Sequence, residues 1–384
     1  MSDGNQRMKI VCISASHVPS TAANSLQVMK ACQALSQLGH EVHLLVPRTE
    51  DGQRNNELTS FYGLQTSFPV EWLSARPNLR RYDFAWHAVR WARAQHADIT
   101  YVWVLQAAVL ALMARLPVII EMHGPPEGTF GPTLFRLFLR LSGKKRLLPI
   151  TQALANGIGE KYRTKTNDPG LVVVSPNGVD LERFHDLPDP VTAREVLGLP
   201  AGLTAGYTGH LYAGRGTSLL VELARRFPDV HFLWVGGRPQ EVQEWRQHLA
   251  TEGLANVTLT GFVENSRLPQ YQAAADILLM PYEKVITGSS GGNSSAYASP
   301  MKMFEYMASR RAIISSDLPV IREVLNASNA VMCPPEDAEA WSQAFGALTN
   351  DGDKRNALAE QAWHDVQQYT WLERARKALI DFGE

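Results

Sequence analysis

An excess of either charge is missing from this 384-residue chain: 37 Lys and Arg stand against 38 Asp and Glu. The basic field that a sequence-independent nucleic-acid binder needs is therefore absent, and no nucleic-acid partner is expected. Cysteine is scarce. Cys12, Cys32 and Cys333 lie far apart without zinc spacing to histidine, and the first two fall in apolar periodic segments where a thiol acts as a small hydrophobe. A reducing compartment is expected. No run of about 18 apolar residues occurs, and "MSDGNQRMK" has no apolar core before the first strand, so a cytoplasmic location is expected. No G-x-G-x-x-G follows that strand, which argues against a nicotinamide-dependent dehydrogenase.

What is present is alternation, over a length that suits two domains. "KIVCISAS", "HEVHLLVP", "ITYVWV", "PVIIEMHG", "RLLPIT" and "LVVVSPNG" are predicted strands of a first, mostly parallel sheet. A Pro- and Asp-rich linker with a short helix is expected near residues 180 to 200. Five more strands then follow, "LTAGYTGHL", "VHFLWVGG", "VTLTGF", "DILLMPY" and "RAIISSD", and "TWLERARKALIDFG" is predicted to be a helix. The fold class is α/β with two doubly wound sheets. Ligands of such sheets bind beyond the carboxyl ends of the strands, so a cleft between two domains is the expected site.

Three strand-to-helix junctions carry candidate chemistry. In "SASHVPSTAANSLQVMK" the residues Ala23, Asn24 and Ser25 open a helix whose first amides suit an anion, or Asn24 simply caps it. In "YTGHLYAGRG" the residues Gly209, His210 and Arg215 offer amides and a forked guanidinium to a diphosphate, unless Arg215 is an ordinary surface residue. A Ser- and Gly-rich loop from Lys284 to Ala298 then leads into "SPMKMFE", with Ser299, Pro300, Met301 and Lys302 at a helix start and Glu305 one turn inside. That carboxylate suits a ribose diol, or only the helix dipole. Asp351 to Asp353 ("DGD") reads as turn and cap, and no metal site is expected. Arg136, Arg140, Lys144, Lys145 and Arg146 within Phe135–Leu147 offer possible peripheral membrane contact, or form an ordinary surface helix.

These motifs, with "EMHGPP", "SPNGVDLERF", "LWVGG", "LTGFV" and "SPMKMFEYMASRRAIISSDLPVIREV" in this order, resemble the retaining glycosyltransferases of family 4 over essentially the whole chain. The resemblance implies the GT-B fold, two Rossmann-like domains facing each other across a cleft. It divides the chain into an acceptor-side domain (1–185), a nucleotide-sugar domain (186–368) and a C-terminal helix crossing back (369–384). It implies an enzyme that moves a sugar from a nucleotide-diphosphate sugar, its donor substrate, to a glycan, lipid-linked or small-molecule acceptor, with no metal or other cofactor. Glu305 matches the ribose ligand; Arg215 and Lys302 match the groups on the diphosphate, next to Gly209, Gly237, Arg238 and the segment Ser299–Met301. His123 matches the histidine beside the donor sugar, and Phe262 and Val263 the stretch that meets the base. The chain departs from the pattern at Tyr297, where the first of two Glu is usual, at His210 in place of Arg, and at Ala22-Ala23 in place of Gly-Gly. A catalytically inactive GT-B subunit that acts as a binding partner is the alternative these departures raise.

Overall fold

The computed structural model describes residues 7–48, 57–79, 81–286 and 293–382. It falls into two compact units, one of Met1–Pro176 with Trp371–Glu384 and one of Asn177–Thr370.

The first unit holds a six-stranded sheet: β1 (Lys9–Ile13), β2 (Glu41–Pro47), β3 (Val70–Leu73), β4 (Ile99–Val102), β5 (Val118–Met122) and β6 (Lys145–Pro149). All pairings are parallel, in the order β3-β2-β1-β4-β5-β6. Every residue of β4 and β5 is buried, as covering on both faces requires, and only Thr100 and Glu121 interrupt their apolar pattern. Strand order reverses between β1 and β4. The helix Trp371–Leu379 belongs to this unit, where Trp371, Ala375 and Ala378 are buried.

The second unit repeats the design with β7 (Thr204–Thr208), β8 (His231–Val235), β9 (Val257–Gly261), β10 (Ile277–Met280), β11 (Ala312–Ser316) and β12 (Val331–Cys333). The order β12-β11-β10-β7-β8-β9 places its reversal between β7 and β10. Ligands of doubly wound sheets settle at such a switch point. The loops that follow β7 and β10 are thereby singled out.

Three expectations need correction. "LVVVSPNG" forms only a bridge between Val172 and Leu147, although three backbone bonds run along β6 (Leu147 to Leu171, Val173 to Leu147, Ser175 to Pro149). Pro149 has no N–H with which to extend that ladder. The short strands β3 and β12 were missing from the expected sheets; β3 begins just after Pro69 and β12 has three residues, too few for a period to show. The stretch 180–200 carries the short helix expected there, Pro190–Leu197, but packs within the second unit: Phe184 and Ala193 are buried, and Arg194 pairs with Asp276 at 2.9 Å and also donates to the Ala274 carbonyl.

Candidate functional site

In the second unit the chain leaves β7 through Gly209 and returns to helix Thr217–Arg226 through Gly216, whose φ of +72° only glycine adopts readily. The approach is close as well. A Cβ on Gly216 would lie 1.8 Å from the Pro281 carbonyl oxygen, and one on Gly209 would lie 2.7 Å from Lys302 Nζ. The two loops of the switch point are thus packed backbone to backbone, with room for one lysine head.

Two cations meet there against tyrosine rings. Lys302 Nζ lies 4.2 Å from the Tyr207 ring centre and 5.4 Å from that of Tyr282. The Arg215 guanidinium lies 4.9 Å from Tyr212 and 5.4 Å from Tyr282, and it donates to the Tyr212 hydroxyl at 2.7 Å. Enclosure, reinforced by Arg215 and opposed by Glu305, pushes the Lys302 pKa well below that of an ordinary lysine. Burial also works against the charge of Arg215, but the phenol oxygens of Tyr282, Tyr212 and Tyr207 outweigh it and its pKa moves up. An anion arriving between two such groups restores the countercharge that burial removed.

Lys302 and Glu305 are both set by helix Met301–Ala308, which starts after the extended Pro300. Asn177 holds the preceding turn: its backbone N–H donates to Ser299 Oγ (3.1 Å) and its amide to the Ser299 carbonyl (2.6 Å). The fully buried Gln272 donates to one Glu305 oxygen at 3.3 Å, which orients the carboxylate. Sequence reasoning missed Asn177, Gln272 and the tyrosine enclosure. Only the positions of Tyr207 in β7 and of Tyr212 and Tyr282 just after β7 and β10 were there to be read.

His210 is stacked on Tyr212 (5.2 Å), with its Nδ1 buried and without a partner. Burial lowers its pKa, helped by Arg215 and Lys302 and opposed by Glu241, so the free protein favours the neutral ring. Gly237 follows β8 in the left-handed region, and Arg238, exposed, opens helix Pro239–Thr251 with its N–H on Glu241. Phe262 is exposed and Val263 packs on the core below. Asp351 caps helix Gly352–Val366 through the Lys354 amide. Of the Lys284–Ala298 loop, residues 287–292 lie outside the described residues; its ends are tied by Ser294 to the Ile286 carbonyl.

In the first unit Glu121 lies in β5 and His123 follows its last residue, Met122. They border a cavity of about 340 Å³ walled also by Tyr82, Trp103 and Phe130. His123 Nε2 lies 2.7 Å from Glu121 Oε1. Glu121 is buried, yet the charge of Arg374 and the hydrogen bonds of His123 and Tyr101 overcome the effect of burial and hold its pKa at about 2. Near β1, the helix Ala23–Gln37 starts after Ala22, so Asn24 is not its cap and stands exposed. The Ser25 hydroxyl is buried on the His17 carbonyl (2.8 Å) and Tyr62 (2.6 Å), which leaves it no ligand role.

The basic segment Phe135–Leu147 runs from the helix Gly131–Arg140 into β6. Phe135 and Phe138 are buried, Lys145 donates to the carbonyls of Phe138 and Leu139 and so caps the helix Gly131–Arg140 from β6, and Arg146 donates to the carbonyls of Ala378 and Ile380. Only Arg136, Leu137, Arg140 and Lys144 of it are exposed side chains of the kind a membrane surface would meet. Among the described residues no helix is long and apolar enough to cross a membrane, and no three His, Cys, Asp or Glu are grouped to hold a metal ion.

Comparison with known proteins gives one family from both halves. The family profile for Glycosyltransferase Family 4 matches residues 26–183, and that for Glycosyl transferases group 1 matches residues 202–351. The phosphatidyl-myo-inositol mannosyltransferase of Mycolicibacterium smegmatis is 24% identical over 379 residues, covering 95% of this chain and 90% of its own. Two solved structures share the fold over nearly all of both chains. A glycosyltransferase from Rickettsia africae has a TM-score of 0.76 at 15% identity, with 98% of each chain covered. Anabaena Alr3699/HepE in complex with UDP has a TM-score of 0.73 at 18% identity, with 97% and 99% covered.

Proposed function

The chain belongs to glycosyltransferase family 4, and we propose on that premise that it transfers a sugar from a nucleotide-diphosphate donor with retention at the anomeric carbon, without a metal. One observation carries the donor assignment: two cations held against tyrosine rings at the β7/β10 switch point, with a carboxylate one helical turn on. Arg215 and Lys302 hold the diphosphate, helped by the first amides of helix Met301–Ala308, and Glu305 accepts from the ribose diol. Phe262 offers an exposed ring to the base. His123 of the first unit meets the transferred sugar. As the bond from the anomeric carbon to the diphosphate oxygen breaks, negative charge grows on the leaving group and both cations stabilise it. The acceptor hydroxyl adds to the same face, and its proton passes to a donor phosphate oxygen.

The UDP complex of the Anabaena protein supports a nucleoside diphosphate as the common part of the donor, and the name of the mycobacterial relative, a phosphatidyl-myo-inositol mannosyltransferase, supports a lipid acceptor. The test is a panel of UDP-, GDP- and ADP-sugars, scored for transfer or slow hydrolysis. Proton NMR of the product then fixes its anomeric configuration. Turnover of no nucleotide sugar would contradict the reading.

Two further results are expected. Glu305→Gln should weaken binding of the free nucleoside diphosphate about tenfold, the cost of replacing a charged acceptor by a neutral one. Calorimetry measures it, and unchanged affinity would remove Glu305 from the site. His210, neutral in the free protein, should take up a proton when a dianion binds beside it. Donor affinity should then fall as pH rises through the bound-state pKa, and His210→Arg should flatten that fall while leaving the part due to Lys302 in place. Parallel profiles from mildly acidic to mildly basic pH would make His210 a spacer.

A further inference from the structure

A carboxylate inside a parallel sheet is costly unless something needs it. Glu121 has four partners. Tyr101 donates to Oε2 at 2.6 Å, Gln27 donates to Oε1, Arg374 Nη2 lies 2.8 Å from Oε1 in a close ion pair off the N–H direction, and His123 Nε2 lies 2.7 Å from the same oxygen. Arg374 comes from the helix Trp371–Leu379, and its Nε and Nη1 reach the Pro176 carbonyl (2.9 Å) and the Tyr101 hydroxyl (3.1 Å). Gln27, Tyr101, Glu121 and Arg374 are all buried. His123 alone is open, with about a third of its side chain exposed at the cavity.

That asymmetry separates two uses of the cluster. A clamp that only fastens the last helix to the sheet is complete with Arg374, Tyr101 and Glu121, and needs no histidine. An ionised carboxylate facing Nε2, however, admits only a ring that carries a proton on Nε2. In the neutral ring Nδ1 is then the acceptor. Its orientation is set as well, since Nε2 is anchored and β5 fixes the Cα.

We infer that Glu121 is a positioning residue: it locks the neutral ring of His123 in the Nε2–H tautomer with Nδ1 presented as a hydrogen-bond acceptor to a hydroxyl of the transferred sugar, and Arg374 holds that carboxylate in place. The inference rests on the reading that His123 meets the sugar. It makes the C-terminal helix a part of the sugar-binding apparatus, although none of its residues touches the sugar.

The full chain labelled with 15N-histidine tests it, with His123 assigned by comparison with His123→Asn. At basic pH, where imidazoles are neutral, wild type should show protonated Nε2 and bare Nδ1. The triple variant Tyr101→Phe/Glu121→Leu/Arg374→Met removes the charges and the hydroxyl together at similar volume, a replacement that buried ion pairs tolerate. It should stay folded with a lowered melting temperature, because the buried Gln27 amide and the Pro176 carbonyl lose a partner, show a mixture of tautomers and transfer sugar about tenfold or more slowly, with little change in affinity for the free nucleoside diphosphate. If that variant does not fold, Glu121→Gln serves, because a neutral amide can turn either its oxygen or its NH₂ to the ring and should also give a mixture. A wild-type proton on Nδ1, a single Nε2–H tautomer retained in the variants, or an unlocked ring with undiminished transfer would each overturn the inference. Full activity in His123→Ala would instead overturn the underlying reading of His123.

Discussion

Arg215→Ala should slow sugar transfer by about 10²–10³-fold, the usual cost of removing one preorganised group aimed at charge that develops in the transition state. Affinity for the nucleoside part should change much less. The difference arises because the guanidinium is fixed by Tyr212 and Tyr282 before any ligand arrives, and its work increases as the glycosidic bond breaks. Steady-state kinetics on the selected nucleotide sugar, with kcat and KM resolved, give the answer. A loss confined to KM would mean that Arg215 only binds, and no loss would move the phosphate anchor elsewhere.

Gly216→Ala should lower the melting temperature by more than about 6 °C, through a loss of about 3 kcal/mol. Two causes act together: φ at +72°, and a Cβ 1.8 Å from the Pro281 oxygen, where only backbone movement gives relief. Gly198 separates them. It has a similar φ of +64° but nothing within 4 Å of its Cβ, so Gly198→Ala should cost only about 1–2 kcal/mol. Equal losses at the two positions would mean that the approach of the β7 and β10 loops is looser than described. Because Tyr282 follows Pro281, the Gly216 variant should also lose more nucleotide affinity than the Gly198 variant.

Much of this was legible in the residues. The donor motifs "YTGHLYAGRG" and "SPMKMFE" stood out because each leads into a helix start where amides converge, and the family resemblance chose between the readings that position alone left open. The long central strands were readable for the same reason that they are stable, burial on both faces. Edge strands failed in two ways: β3 and β12 are too short to show a period, and "LVVVSPNG" has the composition of a strand beside a partner interrupted by Pro149. The sites were legible as single residues and illegible as neighbourhoods. Glu121 and Arg374 are more than 250 positions apart, and Gln272 and Glu305 are joined by one hydrogen bond between separate helices. No spacing rule links such pairs. The roles of Lys145 and Arg146 were hidden for a related reason, since a sequence shows charges and not the carbonyls that receive them.

The central claim is that the second unit presents a preformed anchor for a nucleoside diphosphate. Calorimetric titration of the intact chain with UDP, GDP and ADP, repeated with Arg215→Ala and Glu305→Gln, addresses it most directly. The account predicts that one of these ligands binds at a single site and that each substitution weakens it, Arg215→Ala by removing a charge from the diphosphate and Glu305→Gln by removing one from the ribose. Binding of none of the three, or binding of equal strength in wild type and both variants, would contradict it.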